Sequence, residues 1–316
     1  MKAAKQMAPL LIAMAVLLAI FGWRVENFLT AENMIDLIQQ ISVNAIIAFG
    51  MTLTIMIGGI DLSVGALLAL VGTTTVYTLT SLSGESQSFG WLALAMLAGL
   101  SVAAGFGAFN GLCAAKTRMP PFIITLATMW IARGAALRFN QNRPIPVPDH
   151  QTVFLSLGNG RLFDLIPVPV VIMLAAFLIA AVLLHRTRFG QHIYAIGGNR
   201  EAARFTGIPL VRTEISVYMI CALLTGVAAM IHTSQLYSAE PGSGIMFELN
   251  AIAAAVVGGT SFTGGIGTMY GTLIGAIIIG ILDKGLNQAG VHFSSQYVVK
   301  GLVVLAAVYV DVRRRR

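Results

Sequence analysis

What most limits the fold of this chain is a series of ten apolar stretches separated by short polar segments. They fall at 8–23, 42–58, 62–80, 91–114, 122–137, 167–184, 215–236, 249–259, 268–282 and 297–311. Such runs suit helices crossing a hydrocarbon layer, at about 20 residues each, and are too long for barrel strands of about 10. Of the 316 residues, 57% are hydrophobic and 10% charged, whereas an average soluble domain carries roughly 25% charge. That balance excludes a soluble globular domain, and also a disordered chain, which would be charge-rich and apolar-poor. The expected fold class is all-α: a polytopic membrane protein of about ten transmembrane helices, some interrupted, with 1–316 forming a single transmembrane domain. The first stretch follows Lys2 and Lys5 like a signal peptide. Phe21-Gly-Trp-Arg-Val25 comes next in place of a small-residue cleavage site, so a retained helix is expected.

The positions of the charges explain the net +7. Lys2 and Lys5, Lys116 and Arg118, then Arg186, Arg188, Arg200, Arg204 and Arg212, and finally Arg313 to Arg316 make thirteen of the 20 basic residues. Ten spans put all of these segments on one side, which the positive-inside rule makes cytosolic, both termini included. The basic balance is thus a topology signal, and no nucleic-acid partner is expected. The other side receives 81–90, 237–248 and a longer proline-bearing segment at 138–166, expected as an ordered surface loop. Cys113 and Cys221 lack metal or redox spacing and are expected to pack as small residues.

The run Gly258-Gly-Thr-Ser-Phe-Thr-Gly-Gly-Ile-Gly267 lacks the Lys-Ser/Thr of a phosphate loop. His150, His185, His192, His232 and His292 are scattered, so no metal site is expected. Small residues recur every fourth position at Ala95, Gly99, Ala103, Gly107 and Gly111, and at Gly267, Gly271 and Gly275. In lipid this spacing lets helix backbones approach closely. Packing within the chain is the favoured reading, with a subunit interface as the alternative. Sliding 44–67 by 206 positions onto 250–273 gives ten identities, among them Asn44/Asn250, Gly58-Gly59-Ile60 over Gly264-Gly265-Ile266, and Gly65/Gly271. Two readings stand: an internal repeat of the kind transporters use, or chance in an Ala/Gly/Ile-rich chain.

Gly58-Gly-Ile-Asp-Leu-Ser-Val-Gly65 interrupts an apolar run with two glycines and a carboxylate. Asp61 in hydrocarbon costs about 2.5–3.5 kcal/mol on insertion scales, so it must face protein or water. It either caps the following helix, accepting from the amides of Ser63 and Val64, or takes part in a solute path. Asp36, Asp61, Arg133, Lys284 and Lys300 come near spans and form no visible pair, which disfavours an ion-coupled relay. Neutral groups dominate: Asn44, Ser63, Asn110, Thr125 and Asn250, with Gln39, Gln40, Ser42, Thr52 and Thr54. A path lined by Asn44, Asp61, Ser63, Asn110, Thr125 and Asn250 would suit a neutral polyol.

The basic loop at about 185–214 is too organised for a connector. Asn199 is a good N-cap, Glu201 sits where the dipole favours it, Gly207 is a C′ residue and Pro209 a stop. A two-turn helix is expected, offering Ala202, Ala203 and Phe205 to a partner.

With Gly58–Gly65, this loop resembles the permease subunits of ribose-type sugar ABC importers. Other matching motifs are Ser42-Val-Asn-Ala-Ile46, Gly50-Met-Thr-Leu53, Asn110-Gly111, Pro121-Phe-Ile-Ile-Thr-Leu126, Tyr194-Ala-Ile-Gly-Gly-Asn199, Gly207-Ile208, and Glu248-Leu-Asn-Ala-Ile-Ala-Ala-Ala-Val-Val-Gly-Gly-Thr-Ser261. Together they cover roughly 30–312. Asn250 departs from the pattern, since many relatives have Asp there.

The resemblance implies a permease of the cell inner membrane and no cofactor in this chain. It implies cytosolic ATP-binding subunits, an extracytoplasmic sugar-binding protein and a second permease chain, expected as a homodimer. It also makes the loop helix a coupling helix, the role falling on Gly198, Asn199, Arg200, Glu201, Ala202, Ala203 and Gly207. No catalytic residue is expected. The alternative function is a stand-alone secondary transporter or channel for a small neutral solute.

Overall fold

The computed structural model describes residues 2–84, 88–117 and 119–313, without the side chains of 2–6, 83, 307 and 310–313. Of the basic residues placed on one side above, Arg118 and Arg314 to Arg316 lie outside the described residues, as do the side chains of Lys2, Lys5 and Arg313. So do residues 85–87 of the first segment expected on the other side.

Helices α1 (Lys2–Arg24), α2 (Ala31–Met56), α3 (Val64–Ser83), α4 (Phe89–Lys116) and α5 (Pro121–Phe139) follow one another. A polar stretch holding α6 (Thr152–Asn159) leads to α7 (Val168–Arg186). Two short helices, α8 (Arg188–Gly198) and α9 (Arg200–Phe205), precede α10 (Leu210–Gln235). The last three are α11 (Phe247–Val257), α12 (Met269–Gln288) and α13 (Phe293–Arg313). Among the described residues, eight helices are long and apolar enough to cross a membrane, and α11 and the Phe293–Ala306 part of α13 are shorter apolar helices. The all-helical, multi-span architecture is the one expected from the sequence.

The centre of the bundle is α2. From Ile41 to Met56 it is buried almost without a break, packed by α7, α10, α11 and α12. A span apolar all round could equally face lipid; here four neighbouring helices cover it instead. It also starts eleven residues before its apolar run, where the Thr30 hydroxyl accepts the Asn33 amide at 3.4 Å. Glu32, Asp36, Gln39 and Gln40 lie in these first turns, so hydropathy alone missed them.

The small-residue stripe on α4 is filled by the chain itself. A methyl group on Gly107 would stand 2.7 Å from the Tyr218 carbonyl, and one on Gly111 2.6 Å from Ile215 Cα. Ala95, Gly99, Ala103, Gly107 and Gly111 are all buried, so the subunit-interface alternative does not hold for this face. The proline-bearing segment is ordered, as expected. The Gly158 amide at the end of α6 donates to Ser234 Oγ at 2.8 Å, and Ile145–Pro146 pairs antiparallel with Ser238–Ala239.

The stretch at 249–259 departs from a simple span. α11 has 11 residues, about 16 Å of helix, against a hydrocarbon core of about 30 Å. The missing length is made by residues 236–246, which turn back into the bundle. Gly72 of α3 packs on Thr233 near the end of α10, whereas Gly65 packs on the Gly244 carbonyl. Seven helical residues separate those contacts, so the segment descends about 10 Å.

Candidate functional site

Two breaks in the helices meet at one end of the bundle, where α8 and α9 also lie. The first break is residues 57–63, between α2 and α3. Gly58 opens it at φ +81°, left-handed backbone that glycine adopts without a Cβ penalty. The Ser63 amide and hydroxyl donate to Asp61 Oδ1 at 2.9 and 2.5 Å. The expected bond from Ser63 is therefore present, whereas none reaches Asp61 from Val64. Asn110 Nδ2 donates to Ser63 Oγ at 3.1 Å. Thr125 takes both sides of the break, donating to the Ile60 carbonyl at 3.0 Å and accepting the Leu62 amide at 3.1 Å.

Four of the six candidate pathway residues thus form one network, and Asp61, Ser63, Asn110 and Thr125 are all buried. Capacity is left over: Asp61 Oδ2, Asn110 Oδ1 and the hydroxyl of Tyr218 have no hydrogen-bond partner. Tyr218 presses on Gly59 and carried no motif that could have marked it beforehand. Asn44 and Asn250 lie elsewhere. Asn44 is half-buried in α2 with Oδ1 unpartnered, and Asn250 faces Lys300.

The second break is residues 258–268, between α11 and α12. Gly264, the counterpart of Gly58 under the 206-residue shift, has φ +84°, and the counterpart of Val64 falls in the first turn of α12. The two breaks touch, with the Gly265 amide donating to the Met56 carbonyl at 2.9 Å.

The basic loop forms two helices, of which sequence reasoning found one. In α9 Asn199 Oδ1 accepts the Ala202 amide at 2.9 Å, and Gly207, at φ +79°, follows the helix in left-handed backbone. Arg200 pairs with Glu214 of α10 at 2.6 Å. Glu201 and Ala202 are exposed, and Phe205 is 89% exposed. Ala203 is corrected: at 3% exposure it packs against the protein and is not offered to a partner. The missed helix, α8, had a signal. Thr187 accepts the Gly190 amide at 3.3 Å, a cap, and Phe189, Ile193 and Ile196 follow at helical spacing, with Ile193 and Ile196 buried. Tyr194 of α8 donates to the Gly267 carbonyl at 2.8 Å. Burial pushes its hydroxyl pKa up from the ordinary value, so the proton is held through the physiological range.

Among the described residues, the five charged residues expected near spans form no ion pair with one another, but one of them has a partner outside that set. Lys300 of α13 pairs with Asp283 of α12 at 2.8 Å and reaches Asn250 Oδ1 of α11 at 3.5 Å. Arg133 of α5 donates to the Pro241 and Ser243 carbonyls, each at 2.7 Å, holding the re-entrant segment. Lys284 donates to the Asn33 carbonyl at 3.1 Å. Register between helices decides these contacts, and spacing along the chain does not show it.

Helices broken inside a polytopic bundle, with a capped helix beside the breaks, are an arrangement suited to moving a solute. Residues 33–308 match the family described as branched-chain amino acid transport system / permease component. The chain belongs to that permease family. It is similar to the ribose import permease protein of Escherichia coli strain K12, 43% identical over 307 residues, 96% of this chain and 93% of that protein. The ribose import permease protein of Bacillus subtilis strain 168 is 45% identical over 285 residues, 90% of this chain and 86% of the relative. The L-arabinose transport system permease protein of Escherichia coli strain K12 is 36% identical over 302 residues, 96% and 89%. No solved structure gives a significant match. The permease is therefore a multi-pass membrane protein and a transport subunit, not an enzyme. ATP hydrolysis and solute delivery belong to partner chains, and no cofactor is called for in the permease itself.

Proposed function

We propose that the permease is the translocating subunit of an ATP-driven inner-membrane importer of a monosaccharide delivered by an extracytoplasmic binding protein. Residues 1–316 act as one transmembrane domain, two identical copies form the conduit, and both termini are cytosolic. The observation that carries this reading is 36–45% identity, over nine-tenths or more of the chain, to permeases named for ribose and L-arabinose. A further relative, 39% identical, is named for D-allose. The buried network supports a sugar path. Unpaired oxygens on Asp61, Asn110 and Tyr218 are hydrogen-bonding capacity that a polyol can use once the breaks repack. Asn44 and Asn250 extend that path, while Ser63 and Thr125 hold Asp61 and the break in place.

The partner contact falls on α9. A six-residue helix has no stability of its own in water, yet this one is capped at both ends and leaves Phe205 bare. Gly198, Asn199, Arg200, Glu201, Ala202 and Gly207 build or present that surface to the ATPase, and Ala203 seats it on the bundle.

Affinity purification from the native membrane, followed by a sugar panel on the co-purifying binding protein, tests the assignment. The expected result is an ATP-dependent uptake of one aldose by the reconstituted complex. Uptake driven by an ion gradient in vesicles holding the permease alone, without ATP, would overturn it. Ala202→Trp should abolish capture of the ATPase while the permease still folds.

A further inference from the structure

The Gly197 backbone lies where the two breaks touch. A side chain there would run into both the Met56 carbonyl and the Gly265 amide, the two groups joined by the 2.9 Å hydrogen bond. From the other side, a Cβ on Gly264 would stand 2.9 Å from the Gly197 carbonyl and 3.0 Å from that of Met56. Three segments therefore meet backbone to backbone, with no flexible side chain between them to absorb a displacement. Such close-packed contacts shift as a unit rather than deform. One turn earlier on α8, the Tyr194 hydroxyl fastens the second break by its 2.8 Å bond to the Gly267 carbonyl.

The connection onward to α9 is also short. Asn199 is at once the residue that ends α8, its amide donating to the Ala195 carbonyl at 3.0 Å, and the cap of α9, so no slack residue lies between them. A parallel connection runs through α10. Arg200 holds Glu214, and one turn further along Tyr218 presses on Gly59 of the first break.

We propose that Tyr194 and Gly197 are positioning residues that join α9 to both interrupted helices, so that a displacement of α9 moves the two breaks together. This rests on the reading of α9 as the ATPase contact and adds to it the route by which that contact reaches the solute path. Neither residue touches the solute.

The test uses the full complex in lipid vesicles, measuring ATP hydrolysis and sugar uptake on the same preparation. Tyr194→Phe removes one hydroxyl and keeps the ring, while Gly197→Ala wedges the junction. Gly105→Ala, which meets open space, is the control. Hydrolysis should stay within about twofold of wild type in both junction variants while uptake per ATP falls about fivefold or more, the scale of a lost coupling. A merely structural role would lower hydrolysis and uptake in step and leave their ratio unchanged, and that result overturns the proposal. If Gly197→Ala fails to assemble, Tyr194→Phe decides alone: an unaltered ratio there overturns it. The underlying reading is tested separately. ATPase capture lost in Ala202→Trp, with an unaltered ratio in Tyr194→Phe, refutes only the junction, whereas capture retained in Ala202→Trp refutes both.

Discussion

Asp61 has one oxygen engaged twice and the other unused, and that asymmetry predicts how substitutions at this residue differ. In Asp61→Ala the Ser63 amide and hydroxyl lose their acceptor in a sealed site, at a cost of about 1–3 kcal/mol. Asp61→Asn keeps an acceptor toward Ser63 and should fall between the alanine variant and wild type. Thermal unfolding in detergent orders the three, and an alanine variant as stable as wild type would show that the network does not hold the break. Arg133 makes a complementary case. Its one nitrogen serves two carbonyls of the re-entrant segment, and bonds from a charged donor are worth about 1.5–3 kcal/mol. Arg133→Ala should speed amide exchange across residues 238–246 and leave α2 protected. Equal acceleration throughout the chain would instead indicate global loosening.

Among the elements, α9 depends most on its ends. With six residues it has too few internal bonds to persist alone, so loss of the Asn199 cap, about 0.5–2 kcal/mol, should unwind it. Asn199→Ala is expected to weaken ATPase capture and Asn199→Asp to restore it; equal capture by both would detach capping from the partner contact. This helix was legible in the sequence because its signals are local: an N-cap, an acidic first turn, a glycine stop and a proline. The long spans were legible for the same reason, as was the Gly58–Gly65 break. What stayed hidden was set by tertiary register. Asp283 and Lys300 sit on helices joined by a turn, and only packing shows that they face each other. Residues 249–259 were as apolar as a true span, and hydropathy does not tell half a crossing from a whole one. The α8 helix falls between these cases, since its Thr187 cap and apolar spacing are local signals but share one basic loop with the stronger ones of α9.

At the scale of the whole molecule, an exposed aromatic at each end gives a handle on orientation. Phe205 is 89% exposed at the α9 end, and Phe163 is 94% exposed at the other. With Cys113 replaced by serine and Cys221 fully buried, a membrane-impermeant thiol reagent should reach Phe163→Cys in intact cells and Phe205→Cys only in inverted vesicles prepared without the ATPase subunit. The opposite pattern would move both termini outside. The shortness of α11 carries a consequence for how the molecule is made. An insertion machinery that admits helices one at a time requires about 20 apolar residues, and α11 offers 11 behind a stretch of open backbone. That backbone finds its partners in Arg133 of α5, in the strand at Ile145–Pro146 and in its own turns, because lipid supplies none. During synthesis the segment is therefore expected to stay at the water interface until α3 and α5 stand in the bilayer, and to dock against α3 and Arg133 only then, as a late event of biogenesis.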